Sequence, residues 1–167
     1  MLNSAFLLVP FGLQMICMAY DEFSFHRGRG LPRWERIGHP LDTLSVLLCF
    51  LWLLFVPMSS GAVAAYVGLA TFSCLFVTKD EGVHLSHCRM AEQRLHAVLF
   101  TLHPLVLASV GLLWPAAHGI PNSCPPWIRY AGNERTLLVT LCAVVFAFGT
   151  LQFVYWNLLW RPPKTIR

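Results

Sequence analysis

Residues 43–78 read TLSVLLCFLWLLFVPMSSGAVAAYVGLATFSCLFVT, without a single charged side chain. A helix needs about 20 apolar residues to cross the hydrocarbon core of a bilayer. The run is long enough for two crossings, and VPMSSG at 56–61 supplies the proline, serines and glycine that turn the chain between them. Two spans are predicted here, at about 43–57 and 61–79. Further apolar runs at about 2–20, 96–115 and 136–160 add three more. The expectation is an all-α integral membrane protein, one transmembrane domain over residues 1–167 with five transmembrane helices. Composition agrees, with 56% hydrophobic and 12% charged residues, well outside the range of ordinary soluble domains.

The basic residues set the orientation. Arg27, Arg29, Arg33 and Arg36 follow the first helix, Lys79, Arg89 and Arg94 follow the third, and Arg161, Lys164 and Arg167 follow the fifth. Only Arg129 and Arg135 fall on the opposite side. By the positive-inside rule the N-terminus is outside and the C-terminus cytoplasmic. No basic residue precedes the first apolar run, so it reads as a span rather than a cleaved signal. The net charge of +4 is explained by a basic rim against anionic lipid and calls for no nucleic acid. The expected partners are the lipid bilayer and a lipid substrate; oligomeric state is not legible. Six cysteines include no Cys-x-x-Cys pair, which argues against a zinc ribbon or a dithiol redox centre.

An internal repeat organises the polar residues. YDEFSFHRGRGLPRWERIGHP after the first helix and TKDEGVHLSHCRMAEQRLHA after the third share Asp-Glu, a histidine, and then Glu-x-x-x-His before the next apolar run. Helices 1–2 and 3–4 are therefore expected to form a duplicated hairpin with a polar cytoplasmic end. Seven of the eight acids and five of the seven histidines lie at that end. Loops must hold polar residues, but that alone does not explain why the outer loops have only Glu134 and His118.

Helical geometry places these side chains on common faces. At about 100° per residue, Asp80, His84 and His87 share one stripe, and Glu92, His96 and His103 another. Glu22 and His26 stand four residues apart, as do Glu35 and His39. Pro40 disfavours helix at His39, so His39 is expected to cap the second helix with Pro40 in its first turn. Asp21-Glu22 and Asp80-Glu81 stand at helix C-termini, where the macrodipole disfavours carboxylates and some cation must compensate. A clamp by Arg27, Arg36, Arg89 and Arg94 is one candidate. A metal held by Glu22, His26, Glu35, His39, Asp80, Glu81, His84, His87, Glu92, His96 and His103 is the other.

Carboxylate and imidazole without thiolate suit iron, manganese or zinc, with iron favoured. Glu22, Glu35 with His39, Glu81, and Glu92 with His96 resemble in number and chain order the ligand set of carboxylate-bridged dinuclear sites in helical bundles. The spacing departs from that class, being Glu-x-x-x-His instead of Glu-x-x-His. The histidine content is similar to that of membrane fatty-acyl hydroxylases and desaturases, but their His-x-x-x-His and His-x-x-His-His boxes are absent. The leading functional expectation is a dinuclear-iron-type oxidoreductase acting on a lipid or other apolar substrate. The alternatives are a zinc-dependent lipid hydrolase and a non-enzymatic metal- or haem-binding protein or assembly factor.

Overall fold

A computed structural model of the chain describes residues 1–80, 82 and 88–161. Five helices among them are long and apolar enough to cross a membrane, over Ser4–Arg29, Arg33–Phe55, Ser60–Lys79, Met90–Ala117 and Glu134–Leu159. Their regular α-helical cores are α1 (Val9–Tyr20), α2 (Arg33–Phe55), α3 (Ser60–Phe76), α4 (Met90–Gly111) and α5 (Glu134–Val154). The break at 56–61 falls as expected. Ser59 caps α3 by accepting the Ala62 N–H, and Trp114 Nε1 donates to the Val56 carbonyl left open at the end of α2. At that end of the bundle β1 (Leu2–Asn3) pairs in parallel with β2 (Ile128–Arg129).

The central helix is α2. It packs most extensively on α5, while α1 packs chiefly on α4. Between apolar helices in lipid the hydrophobic effect supplies little, and close packing must hold them together. Gly149 of α5 provides it: a Cβ there would stand 3.0 Å from Thr43 Cγ2, and one turn on, Thr43 Oγ1 donates to Gln152 Oε1 at 2.8 Å. Cys49, Phe50, Leu53, Leu107, Val110 and Leu138 fill the centre, and Ile16, Phe55, Leu75 and Phe146 face outward.

Three boundaries differ from expectation: the first span runs on past residue 20 to Arg29, so Asp21-Glu22 are not at its C-terminus, and two others start early. The second and fourth helices begin about ten and six residues early, at Arg33 and Met90, so Glu35 and Glu92 sit in first turns, where the macrodipole favours an acid. His39 is accordingly not a cap. The α2 helix continues through Pro40, which lacks the N–H that would bond the Arg36 carbonyl. Asn157 Nδ2 donates to that carbonyl instead, at 3.0 Å.

The first helix ends unusually. Asp21–His26 form a π-helical turn in which the Arg27 N–H bonds to the Glu22 carbonyl five residues back. Gly30, at φ 75°, then reverses the chain toward α2, its α-carbon so close to Trp160 that a Cβ would lie 2.9 Å from the indole. A second π turn, Tyr155–Leu159, follows α5.

Candidate metal centre

The π turn does what an α-helix cannot. Residues five apart diverge by about 140° on an α-helix, whereas the wider turn points Asp21 and His26 the same way. Opposite them, α4 presents Glu92 and His96 from successive turns. One ligand-type atom from each of Asp21, His26, Glu92 and His96 lies within 4.8 Å of all the others, and all four residues are buried. His96 Nε2 and His26 Nε2 both lie 3.1 Å from Asp21 Oδ2, and His26 Nε2 is 4.0 Å from Glu92 Oε1.

The hydrogen-bond directions separate these contacts. His26 Nδ1 faces Glu22 Oε2 at 3.4 Å, and since a carboxylate only accepts, the proton is on Nδ1. In a neutral ring His26 Nε2 then carries a lone pair; in the imidazolium it carries a second proton toward Asp21 Oδ2. Although Asp21 Oδ2 is close, Nε2 has no hydrogen-bond partner, and Asp21 Oδ1 has none either. Ligands about 2.1 Å from a common ion and at right angles to each other stand about 3.0 Å apart. The 3.1 Å spacing fits two ligands sharing an ion, and equally an imidazolium–carboxylate pair.

Charge points the same way. Asp21, Glu22, Glu35 and Glu92 are each at most 5% exposed. Among the described residues, the lysine or arginine bonded to these four is Arg29, whose Nη2 donates to Glu35 Oε2 and Glu92 Oε1, both at 2.9 Å. Counting lysine and arginine alone, four buried carboxylates face one positive charge, and a protonated His26 between Asp21 and Glu22 adds a second. Uncompensated ions in a low-dielectric interior are costly, and protonated histidines or a bound cation supply the remaining charge.

The other sequence candidates fall around this core. Glu22 lies behind His26, its Oε1 accepting the Trp156 indole N–H at 2.6 Å. The His39 ring stacks on His26 at 4.8 Å between centroids, with a buried Nε2 lacking a hydrogen-bond partner. Glu35 is held by Arg29. His103 stands two turns deeper, bonded to Ser73 Oγ at 2.9 Å and beside Gln14. Glu81, His84 and His87 lie outside the described residues, as does the side chain of Asp80. Asp21, absent from the expected ligands, is the residue two histidines share. Its π turn left no recognisable mark in the sequence.

The arginine clamp is also redistributed. Arg27 lies over the Phe23 and Tyr155 rings, Arg36 over Trp160, and Arg94 beside Met90 Sδ. Just before α4, burial and then the Glu92 carboxylate push the Cys88 thiol up to about 12. Without a metal it stays protonated near neutrality.

A cavity of about 120 Å³ opens from the cluster into the bundle. Asp21, His26, His39 and His96 line one end. Phe11, Met15, Val46, Phe100 and Phe148 form apolar walls, with Gln14, His103 and Gln152 as polar points. The arrangement places a nitrogen-oxygen ligand set at the head of an apolar chamber. Neither a protein-family model nor a curated protein nor a solved structure matches the chain.

Proposed function

We propose that this chain is a membrane-embedded oxidoreductase in which Asp21, His26, Glu92 and His96 hold a redox-active divalent metal, iron before manganese, and the substrate is a lipid or other apolar molecule. The observation that carries the reading is the convergence of one ligand-type atom from each of Asp21, His26, Glu92 and His96 within 4.8 Å of one another, all four residues buried. The pair Glu22–His26 supports it. A carboxylate on the far nitrogen of a ligating imidazole fixes the tautomer and raises basicity. Binding would replace the proton that His96 Nε2 shares with Asp21.

Ligand count favours iron over catalytic zinc. Four protein ligands complete a zinc tetrahedron, and catalytic zinc keeps only three plus water. An octahedral ion with two histidines and two carboxylates keeps two positions open, the condition for oxygen activation by non-haem iron. A second ion, as in the dinuclear class, would draw on Glu35 Oε1 and His39 Nε2, both buried and without hydrogen-bond partners.

The duplicated hairpin belongs to the same proposal. Glu35 and Glu92, equivalent in the repeat, both bond to Arg29, and the equivalent His39 and His96 flank His26. The arginine and lysine distribution puts this end in the cytoplasm.

Elemental analysis of purified, detergent-solubilised protein tests the reading. Iron at one or two ions per chain is expected, lost in Asp21→Ala and His96→Ala but kept in Arg94→Ala, whose side chain is exposed. Wild-type protein that takes up no metal from added ferrous ion would overturn it, as would full metal content in His96→Ala.

A further inference from the structure

The contact between α1 and α4 has a second polar rung. Asp21 meets His96, and Gln14 meets His103 seven residues away on both helices, Gln14 Nε2 lying 3.5 Å from His103 Nδ1. At about 1.5 Å per residue this rung is about 10 Å deeper along the same cavity. Its hydrogen bonds run in one direction. Ser45 Oγ donates its only proton to the Asp42 carbonyl at 2.7 Å. Ser73 Oγ, 2.7 Å from Ser45 Oγ, must then donate to Ser45, leaving it only an acceptor toward His103 Nε2, 2.9 Å away. His103 is thereby fixed as the Nε2–H tautomer, and Nδ1 accepts from Gln14.

Gln14 is 8% exposed, and its amide nitrogen faces His103 Nδ1 and, at 3.9 Å, Met18 Sδ. With the donors so directed, Gln14 Oε1 is a buried acceptor without a partner in a residue lining the chamber. A buried carbonyl oxygen without a donor costs about 1–3 kcal/mol. Phe11, Met15, Val106 and Phe148 nearby offer no donor.

We infer that the chamber is a binding site for an elongated apolar molecule carrying a neutral hydrogen-bond donor, a hydroxyl or amide N–H, which is received by Gln14 Oε1, with the ligand's apolar remainder running toward the Asp21–His96 rung. A carboxylate or phosphate is disfavoured, because it would present acceptors to an acceptor. The ligand's reach toward the cluster rests on the metal reading; its recognition by Gln14 does not.

The probes are n-decanol and n-decane at equal mole fraction in detergent micelles, read by the Tm of the full chain. Decanol should raise Tm of the wild type by about 2–4 °C more than decane. In Gln14→Leu, which removes the unpaired amide at similar size, the two should act alike. Gln14→Met is the second such variant. Equal shifts in the wild type, meaning that a water satisfies Gln14, would overturn the inference; so would a decanol preference surviving in both variants. In Mn²⁺-loaded protein, decanol labelled at its terminal methyl should relax faster than decanol labelled at its carbinol carbon, and the reverse order would overturn the orientation. If neither manganese nor ferrous ion binds, neither label responds and the metal reading fails, while the Tm comparison still decides the Gln14 site.

Discussion

Glu22 Oε1 accepts the indole N–H of Trp156 at 2.6 Å, joining the two π-helical turns of the described chain. Through its other oxygen Glu22 faces His26, so the last turn of the fifth span reaches a metal-type nitrogen on the first. Trp156→Phe keeps most of the buried ring and removes the donor. Metal affinity should fall about 10–100-fold with the fold retained, as for other groups that orient a ligand. A chelator-competition titration measures it, and unchanged affinity would assign the indole to packing alone.

Asp21 and Glu22 are neighbours with different tasks. Asp21→Asn removes a charge from the atom both histidines share and should abolish stoichiometric metal binding. Glu22→Gln touches only the orientation and tautomer of His26, so the loss should stay within about 10–100-fold. The reverse order in the same titration would make Glu22 the ligand.

The span count was legible because an uncharged run cannot hide its length, and the acid-histidine clustering stood out against an apolar background. The π turn was not legible. Nothing in DEFSFH distinguishes it from α-helix, and spacing rules built on about 100° per residue pair Glu22 with His26 and leave out Asp21. Pro40 misled for a related reason: its missing N–H ends a helix only if nothing else serves the Arg36 carbonyl, and Asn157 lies 121 residues away in sequence. Asn157→Ala should therefore destabilise by about 0.5–1.5 kcal/mol in the wild type and by much less in Pro40→Ala, where the backbone supplies the donor. Thermal unfolding of the four proteins in detergent closes the cycle, and strict additivity would sever the link.

The orientation proposal has a direct readout. A reporter fused after Arg167 should report the cytoplasm, and a cysteine placed at Asn122, an exposed position, should react with a membrane-impermeant maleimide from outside. Labelling of a cysteine at Arg33 from the outer face would reverse the topology and place the site at the opposite surface.

Arg29 separates a metal centre from a purely structural clamp. Its guanidinium bonds Glu35 and Glu92, and Arg29→Met would leave both carboxylates buried without it. Breaking a buried pair costs about 3–5 kcal/mol. The Arg29 side chain is 21% exposed, so a loss nearer 2–3 kcal/mol is expected, about 5–10 °C in Tm for a chain of this size. A structural clamp predicts that this loss is indifferent to metal. With the proposed centre, ferrous or manganous ion bound at Glu92 and Asp21 restores positive charge where the guanidinium stood, and stabilisation grows with metal concentration through preferential binding to the folded state. The deficit of Arg29→Met should therefore shrink on metal addition, and its metal affinity should exceed that of the wild type, since one competitor for Glu92 is gone. His96→Ala in the Arg29→Met background should remove the rescue. If added metal leaves the Tm of Arg29→Met unchanged, the carboxylates are held for Arg29 alone.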